Sequence, residues 1–471
     1  MNILPVLLWS DVFIWLLVLA GILMGVLSLR NPPLREAWRR AGRSRAGMAS
    51  ATVLAVFVLV GLLDSVHYRP ALESRDGERT VYAVEVLSLL DAALTPLRMR
   101  HEKTYSAPLA THAFAKESVE IRMEDGGVRT TREFPRLKYG GAHLDGDAAQ
   151  VVSDVVKRVL IAGIFAALIF AGVSLAVAGG LARRAGRGVY RMASDIWCGR
   201  TGFAWNAVLL TFGVLLFVAL PLAALCVDYH ALGTDKVGQD VLYQVLKSVR
   251  TALVIGLVTT LVTLPLGVLL GIVAGYFRGW LDDAIQYLYT TLSSIPGVLL
   301  IAAAVLMMQV VIDTHPQWFD TAAERADLRL LALCFILGLT SWTGLCRLLR
   351  GETLKLRELE YIQAAQAFGV ADLRILMRHI LPNLMHIVII ALVMDFSGLV
   401  LAEAVLSYVG IGVDPTMISF GTMINNARME LAREPAVWWS LSAAFVFMFT
   451  LVLAANLFAD ALRDAFDPRM G

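Results

Sequence analysis

Apolar residues gather in long blocks along the 471-residue chain, with polar and basic residues confined between them. Nine blocks are long enough to cross about 30 Å of hydrocarbon as helices. They centre on 11–29, 49–65, 153–179, 203–227, 249–276, 284–312, 328–349, 384–410 and 438–460. The first reads as a true span and not a signal peptide: no Lys or Arg precedes it, and no small-residue cleavage site follows before Arg30. In the sixth, Pro296 after Ser293-Ser294 predicts a kink. Residues 66–152 form the one long polar excursion. There Val119–Met123 alternates, Glu124–Gly127 supplies turn residues and Val128 onward is β-compatible, which predicts a hairpin; a helix is expected over 82–94.

Basic residues orient this pattern. Arg30, Arg35, Arg39, Arg40, Arg43 and Arg45 lie between the first and second spans, and Arg183, Arg184, Arg187, Arg191 and Arg200 between the third and fourth. Both short loops belong on the cytoplasmic side. Nine spans then leave the N-terminus outside and the C-terminus inside. The long 66–152 segment, exempt from the charge rule by its length, falls outside. The composition agrees with a bilayer as solvent: 58% of residues are apolar and 17% charged. A net charge of +2 gives no basic footprint for nucleic acid. Cys198, Cys226, Cys334 and Cys346 have no CxxC spacing and read as membrane or loop thiols. His101, His112 and His143 fit no metal-site spacing and read as solvated loop residues.

The most informative stretch is the cytoplasmic loop at 350–383. Arg357, Tyr361, Ala364, Ala365 and Phe368 recur at helical spacing, and Gly369 can end that helix in a left-handed turn. Asp372 is placed to cap a second helix. Leu373, Leu376, Met377, Ile380, Leu381 and Leu384 form its apolar stripe, Arg374 and Arg378 lie on another face, and Pro382 marks entry to the eighth span. Periodicity alone leaves two readings open: an ordinary amphipathic connector, or a docking knob whose small residues Ala364, Ala365 and Gly369 let another backbone approach.

The residues Gln363-Ala364-Ala365-Gln366-Ala367-Phe368-Gly369, followed after nine residues by His379-Ile380-Leu381-Pro382, resemble the EAA loop of ABC importer permeases. The string Arg378–Asn383 is similar to that of the dipeptide, oligopeptide and nickel branch. Gln363 stands where the family usually has Glu. Further segments resemble the same branch in order: His230–Asp235 with Gly238, Asp240 and Val241 (Gln239 replacing an Arg), Glu403–Gly410, Ser419-Phe420-Gly421, and Asn456-Leu457 with Asp460–Arg469. Trp38-Arg39-Arg40 through the second span resembles the family's usual N-terminal span.

The nine apolar blocks and the hairpin-bearing excursion predict an all-α polytopic fold of about nine transmembrane helices with a small external α+β insert, and the resemblance implies that six of those helices form a permease core. The expected organisation is a two-helix membrane extension over 1–65, the external insert over 66–152, a third helix and basic loop over 153–202, and the core over 203–471. It implies a bacterial inner-membrane subunit that works with a second permease, two cytoplasmic ATPases and an external substrate-binding protein. ATP and Mg would be held by the ATPases, since the chain has no Gly-x-x-x-x-Gly-Lys-Ser/Thr loop. The hairpin residues Glu360, Gln363, Ala364, Ala365, Gly369, Asp372 and Pro382 would then couple ATPase closure to transport. No cofactor or catalytic group is expected in the chain.

Ionisable groups within spans are functional candidates by default. Asp395 and Glu403, eight residues apart on the eighth span, are expected to share a face, either lining the translocation path or pairing helices. They also support the alternative of a proton-coupled secondary transporter. A membrane-embedded hydrolase is disfavoured, since neither HExxH nor GxSxG occurs.

Overall fold

Every apolar block lies on a helix, because within hydrocarbon only a helix satisfies its own backbone. The computed structural model describes residues 3–30, 32–71, 82–122, 128–144, 148–319 and 321–466. In chain order the elements are β1 (Ile3–Val6), α1 (Trp9–Arg30), α2 (Pro32–Ala41), α3 (Arg45–Asp64), β2 (His67–Pro70), β3 (Leu87–Ser88), α4 (Leu89–Ala93), α5 (Thr95–Met99), β4 (Glu117–Arg122) and β5 (Val128–Glu133). Then follow α6 (Ala148–Ala185), α7 (Val189–Trp197), α8 (Trp205–Leu225), α9 (Val241–Phe277), α10 (Trp280–Ser294), α11 (Gly297–Thr314), α12 (Ala322–Arg357), α13 (Glu360–Ala367), α14 (Asp372–Ile375), α15 (Leu381–Val409), α16 (Phe420–Arg428) and α17 (Trp439–Phe466). Among the described residues eight helices are long and apolar enough to cross a membrane: α3, α6, α8, α9, α11, α12, α15 with its lead-in from Asp372, and α17. The apolar stretch of α1, Trp9–Leu23, is shorter.

Two local expectations change. The sixth span is not one kinked helix but two, α10 and α11, separated at Ile295-Pro296. Ile295 is extended at ψ 133°, as the residue before a proline prefers. The helix expected over 82–94 starts only at Leu89, where Ser88 and Asp91 form a capping box. The hairpin is present as β4 and β5, paired antiparallel from Glu117↔Glu133 to Arg122↔Val128. Its turn residues Met123–Gly127 lie outside the described residues, as does the end of the C-terminal match, Asp467–Arg469. His112 bonds Thr111, and His143 meets Asp154 at 3.1 Å.

The chain's two faces are fixed by how its ends pack. β1 joins β2 and β3 in an antiparallel sheet, so Ile3–Val6 sits with the insert at one face. At the opposite face α2 packs on the end of α17, with the rings of Trp38 and Phe466 edge to face at 5.7 Å. The innermost pair is α9 against α12. A Cβ at Gly267, Gly271 or Gly275 would come within 2.9, 2.8 and 2.6 Å of α12 atoms, so a small residue every four positions is what lets these helices approach. The helix beside α9 and α17 is α3: Gly47 abuts Ala461 and Gly61 abuts Leu253. Helix α8 pairs instead with α6 and with the outer side of α3, Gly213 closing on Phe170.

Buried charges tie the N-terminal helices to this bundle. Arg250 of α9 donates to Asp11 at 2.6 Å and to Ser10 at 2.7 Å, and Asp11 meets His67 at 2.7 Å. Lys247, one turn earlier, contacts Asp64 at 2.6 Å and Asp91 at 3.0 Å, joining α3 and the insert to α9. Each of these buried charges has a partner, as desolvation demands.

Candidate functional site

The 350–383 hairpin is an anchored base with an exposed tip. Helix α13 is held by Ile362, fully buried with Ile375, Ile380 and Leu384 against Ile272, Leu345 and Leu349 of α9 and α12. Tyr276 is the polar hub. Its hydroxyl donates to Asp372 at 2.6 Å and accepts from Gln366 at 3.2 Å, and its carbonyl accepts from Arg357 at 2.5 Å. Arg278 pairs with Glu358 beside it. Behind the hub, Arg350 grips Asp282 through two bonds of 2.5 and 2.8 Å, which hold that carboxyl below its usual range and fasten α10 to α12.

The expected site residues fall as follows. Glu360 opens α13, exposed, where its charge suits the helix dipole. Gln363 is exposed and donates to the Glu358 carbonyl at 3.2 Å. Ala364 is exposed and Ala365 half-buried. Gly369 follows α13 at φ +72°, with nothing within 4 Å of an added Cβ, so the left-handed turn and not crowding calls for glycine. Asp372 does not cap α14 as expected: its helix begins after Ala371 without a side-chain cap, and the carboxylate serves Tyr276 instead. Pro382 sits in the first turn of α15, where it removes no needed donor.

The predicted apolar stripe is split. Residues Leu376–Ile380 form one π-helical turn, whose wider pitch shifts the phase of the residues on either side. Ile380 and Leu384 go inward while Leu373 and Met377 stand 71% and 59% exposed. On the facing arm Phe368 is 88% exposed and Tyr361 is 47% exposed. Ala364, Phe368, Leu373 and Met377 are thus exposed on the two arms of a packed base, beside Tyr361, whose hydroxyl accepts from Asn383 at 3.0 Å. Ile362, Tyr276 and the Arg350–Asp282 clamp were not singled out by sequence; Tyr276 lies 90 to 96 residues from Gln366 and Asp372, and Asp282 lies 68 from Arg350, so neither partnership carries a local signal.

Asp395 and Glu403 do not act as a pair. Glu403 is buried and accepts from Ser407 at 2.6 Å and Ser419 at 2.9 Å, joining α15 to the N-terminus of α16. Ser419 caps α16, and a Cβ on Gly421 would fall 2.5 Å from Ser407 Cβ and 2.9 Å from Glu403. Asp395 is half-buried and, among the described residues, has no hydrogen-bonding partner. Eight residues at about 100° each overshoot two turns by about 80°, enough to send the two side chains to different neighbours.

The opposite face carries the segment His230–Val241. Asp240 caps α9 through Leu242 N–H at 2.8 Å and holds His230 at 2.9 Å. Gly233 and Gly238 are both at positive φ, and Gly238 lies so close to the insert that a Cβ would be 1.9 Å from the Glu102 carbonyl. The Glu102 carboxylate accepts from the N–H groups of Lys138 at 2.9 Å and Tyr139 at 2.7 Å and lies 3.5 Å from His230 Nε2, a charge contact longer than a hydrogen bond. Burial alone would lower the His230 pKa, but Asp240 and Glu102 raise it to about 9; burial would raise Glu102, yet His230 and the two N–H donors hold it at about 2. The insert is thus bolted to the segment that opens α9.

Residues 267–471 match the family model described as binding-protein-dependent transport system inner membrane component. The oligopeptide transport system permease protein OppC of Mycobacterium bovis is 32% identical over 239 residues, covering 51% of this chain and 76% of the relative. The chain belongs to this family. It is a permease of an ATP-binding-cassette importer, a multi-pass membrane transport subunit. The glutathione transport system permease protein GsiD of Pectobacterium atrosepticum is 34% identical over 241 residues, covering 51% of this chain and 73% of that protein. An inward-facing structure of the MetNI methionine ABC transporter aligns with 48% of this chain and 96% of that chain at 16% identity, with a TM-score of 0.36, a likeness too slight to add to the assignment.

Proposed function

We propose that this permease imports peptides or similar small solutes across a bacterial inner membrane, paired with a second permease. Two cytoplasmic ATPases bind ATP and Mg and hydrolyse the nucleotide, and an external substrate-binding protein delivers the solute. The 350–383 hairpin is the coupling element: nucleotide-driven ATPase closure pulls on its tip, and the Tyr276 hub and the Arg350–Asp282 clamp pass the movement to α9, α10 and α12. Coupling of this kind needs one bistable element biased from both ends. The arginine-rich loops and the hairpin face the cytoplasm, while the Ile3–Val6 strand and the insert face outward. The six-helix core is α3, α9, α11, α12, α15 and α17, with α6 and α8 inserted after its first helix. This differs from a core starting at residue 203, and it suits both the packing of α3 and the family-like Trp38-Arg39-Arg40 that precedes it.

The observation that carries this reading is the apolar tip around Phe368, exposed on a base with no slack. The test is Phe368→Ala in the reconstituted importer, with ATPase activity measured with and without loaded binding protein. Truncating an 88% exposed side chain leaves folding intact. Stimulated ATPase and uptake should fall together by about tenfold, the loss of one interface anchor. Unchanged stimulation and uptake would overturn the coupling role.

A further inference from the structure

A cleft of about 480 Å³ opens at the face shared with the coupling hairpin, between α2, the end of α6, α7 and the start of α8. Arg39, Arg184, Arg187 and Arg200 line it, against one carboxylate, Asp195. Among the described residues only Arg187 reaches that carboxylate, at 3.3 Å. Arg39 lies 3.9 Å from Glu36 with both side chains largely in solvent, a pairing of little strength. Among the described residues, Arg184 and Arg200 have no carboxylate partner. We propose that this cleft binds the phosphate-bearing headgroup of an anionic phospholipid.

Three features set the chemistry and the depth. Guanidinium forks match the oxygen pairs of a phosphate better than a point charge does. The cleft lies where apolar helices end: Arg184 is in the last turn of α6, Trp205 opens α8, and Trp38 and Trp197 stand half-exposed nearby, as aromatic residues do at headgroup level. Helix α7 buries Met192 and Ile196 while Tyr190 is 90% exposed, the habit of a helix lying in the interface. A bound headgroup bridges α2, which packs on α17, to the α6–α8 pair, and so ties the peripheral helices to the transport core.

The test uses the full chain in nanodiscs of equal phosphatidylglycerol and phosphatidylcholine, followed by native mass spectrometry of the lipid retained. The variants are R184Q/R200Q and, as a control of equal charge loss outside the cleft, R183Q/R191Q. With two phosphate-facing charges removed, the preference for phosphatidylglycerol should fall by about thirtyfold in the first and little in the second. Melting temperatures in pure phosphatidylcholine check that both variants fold. Equal loss in both would reduce the effect to general surface charge and overturn the site. Inorganic phosphate distinguishes the source: failure to displace the lipid at about ten millimolar supports the headgroup, whereas phosphate binding to delipidated protein without lipid retention would overturn it in favour of a soluble phosphate.

Discussion

Replacing Glu102 with Gln should loosen the insert from the permease in a way that depends on pH. The carboxylate accepts two good backbone hydrogen bonds and faces His230 in a junction where its side chain is 4% exposed. Its pKa stands at about 2 against the ordinary 4.5, so ionisation stabilises the docked state by about 2 to 3 kcal/mol. That contribution is fully present above pH 4.5 and disappears as pH falls towards 2. His230, raised to about 9 from 6.5, gives stability that is complete below pH 6.5 and is lost as pH rises through 9. The two shifts share the Glu102–His230 attraction, although His230 is raised first by Asp240, and they are not added. Hydrogen exchange of the full chain in nanodiscs reads this directly, because local opening exposes the amides of 136–140 and 233–240. After correction for intrinsic exchange, wild-type protection should be highest between about pH 4.5 and 6.5 and fall by about thirtyfold or more by pH 9. In Glu102→Gln it should already be about thirtyfold lower at pH 6 and should vary less with pH. A flat wild-type profile from pH 6.5 to 9, or unaltered protection in the variant, would refute the reasoning.

Other outcomes follow from the same contacts. Gly238→Ala must push the Glu102 carbonyl from 1.9 Å to beyond 3.0 Å and hold alanine at φ +77°, so yield and melting temperature should drop sharply; a normal melting curve would contradict the geometry. Glu403→Gln keeps an acceptor for Ser407 and Ser419 and should transport nearly normally, whereas Glu403→Ala removes the acceptor of the buried Ser407 hydroxyl and leaves Ser419 only its bonds with Thr422, at a cost of about 1 to 3 kcal/mol in thermal stability. Loss of uptake in the Gln variant with stability intact would mean the charge itself works in transport. Arg350→Lys replaces two bonds to Asp282 by one and should lower substrate-stimulated ATPase while basal ATPase persists, measured in the reconstituted importer.

What depends on local pattern is legible along the chain. Nine apolar blocks specify helices because lipid offers the backbone no other partner, and the hairpin's existence, with Gly369 at its left-handed turn, follows from helical spacing and one residue lacking a Cβ. The family motifs, too, could be read directly, and their geometry explains them: Asp240 as a helix cap, Gly238 and Gly421 as close approaches, Ser419 as a cap bonded to Glu403. Only the tertiary structure decided which groups meet across the chain. The π turn at Leu376–Ile380 splits the expected apolar stripe, with Leu373 and Met377 exposed while Ile380 and Leu384 turn inward, a phase shift no periodicity of 3.6 contains. Tyr276 drew Asp372 away from its expected cap because a distant hydroxyl offered the better bond. Helix α3 packs on α17 and α9 because Gly47 and Gly61 permit close contact with Ala461 and Leu253. Local propensity sets each helix's limits and its solvent, but partner choice rests on shape and charge between residues hundreds of positions apart, and one sequence read along its length does not carry that complementarity.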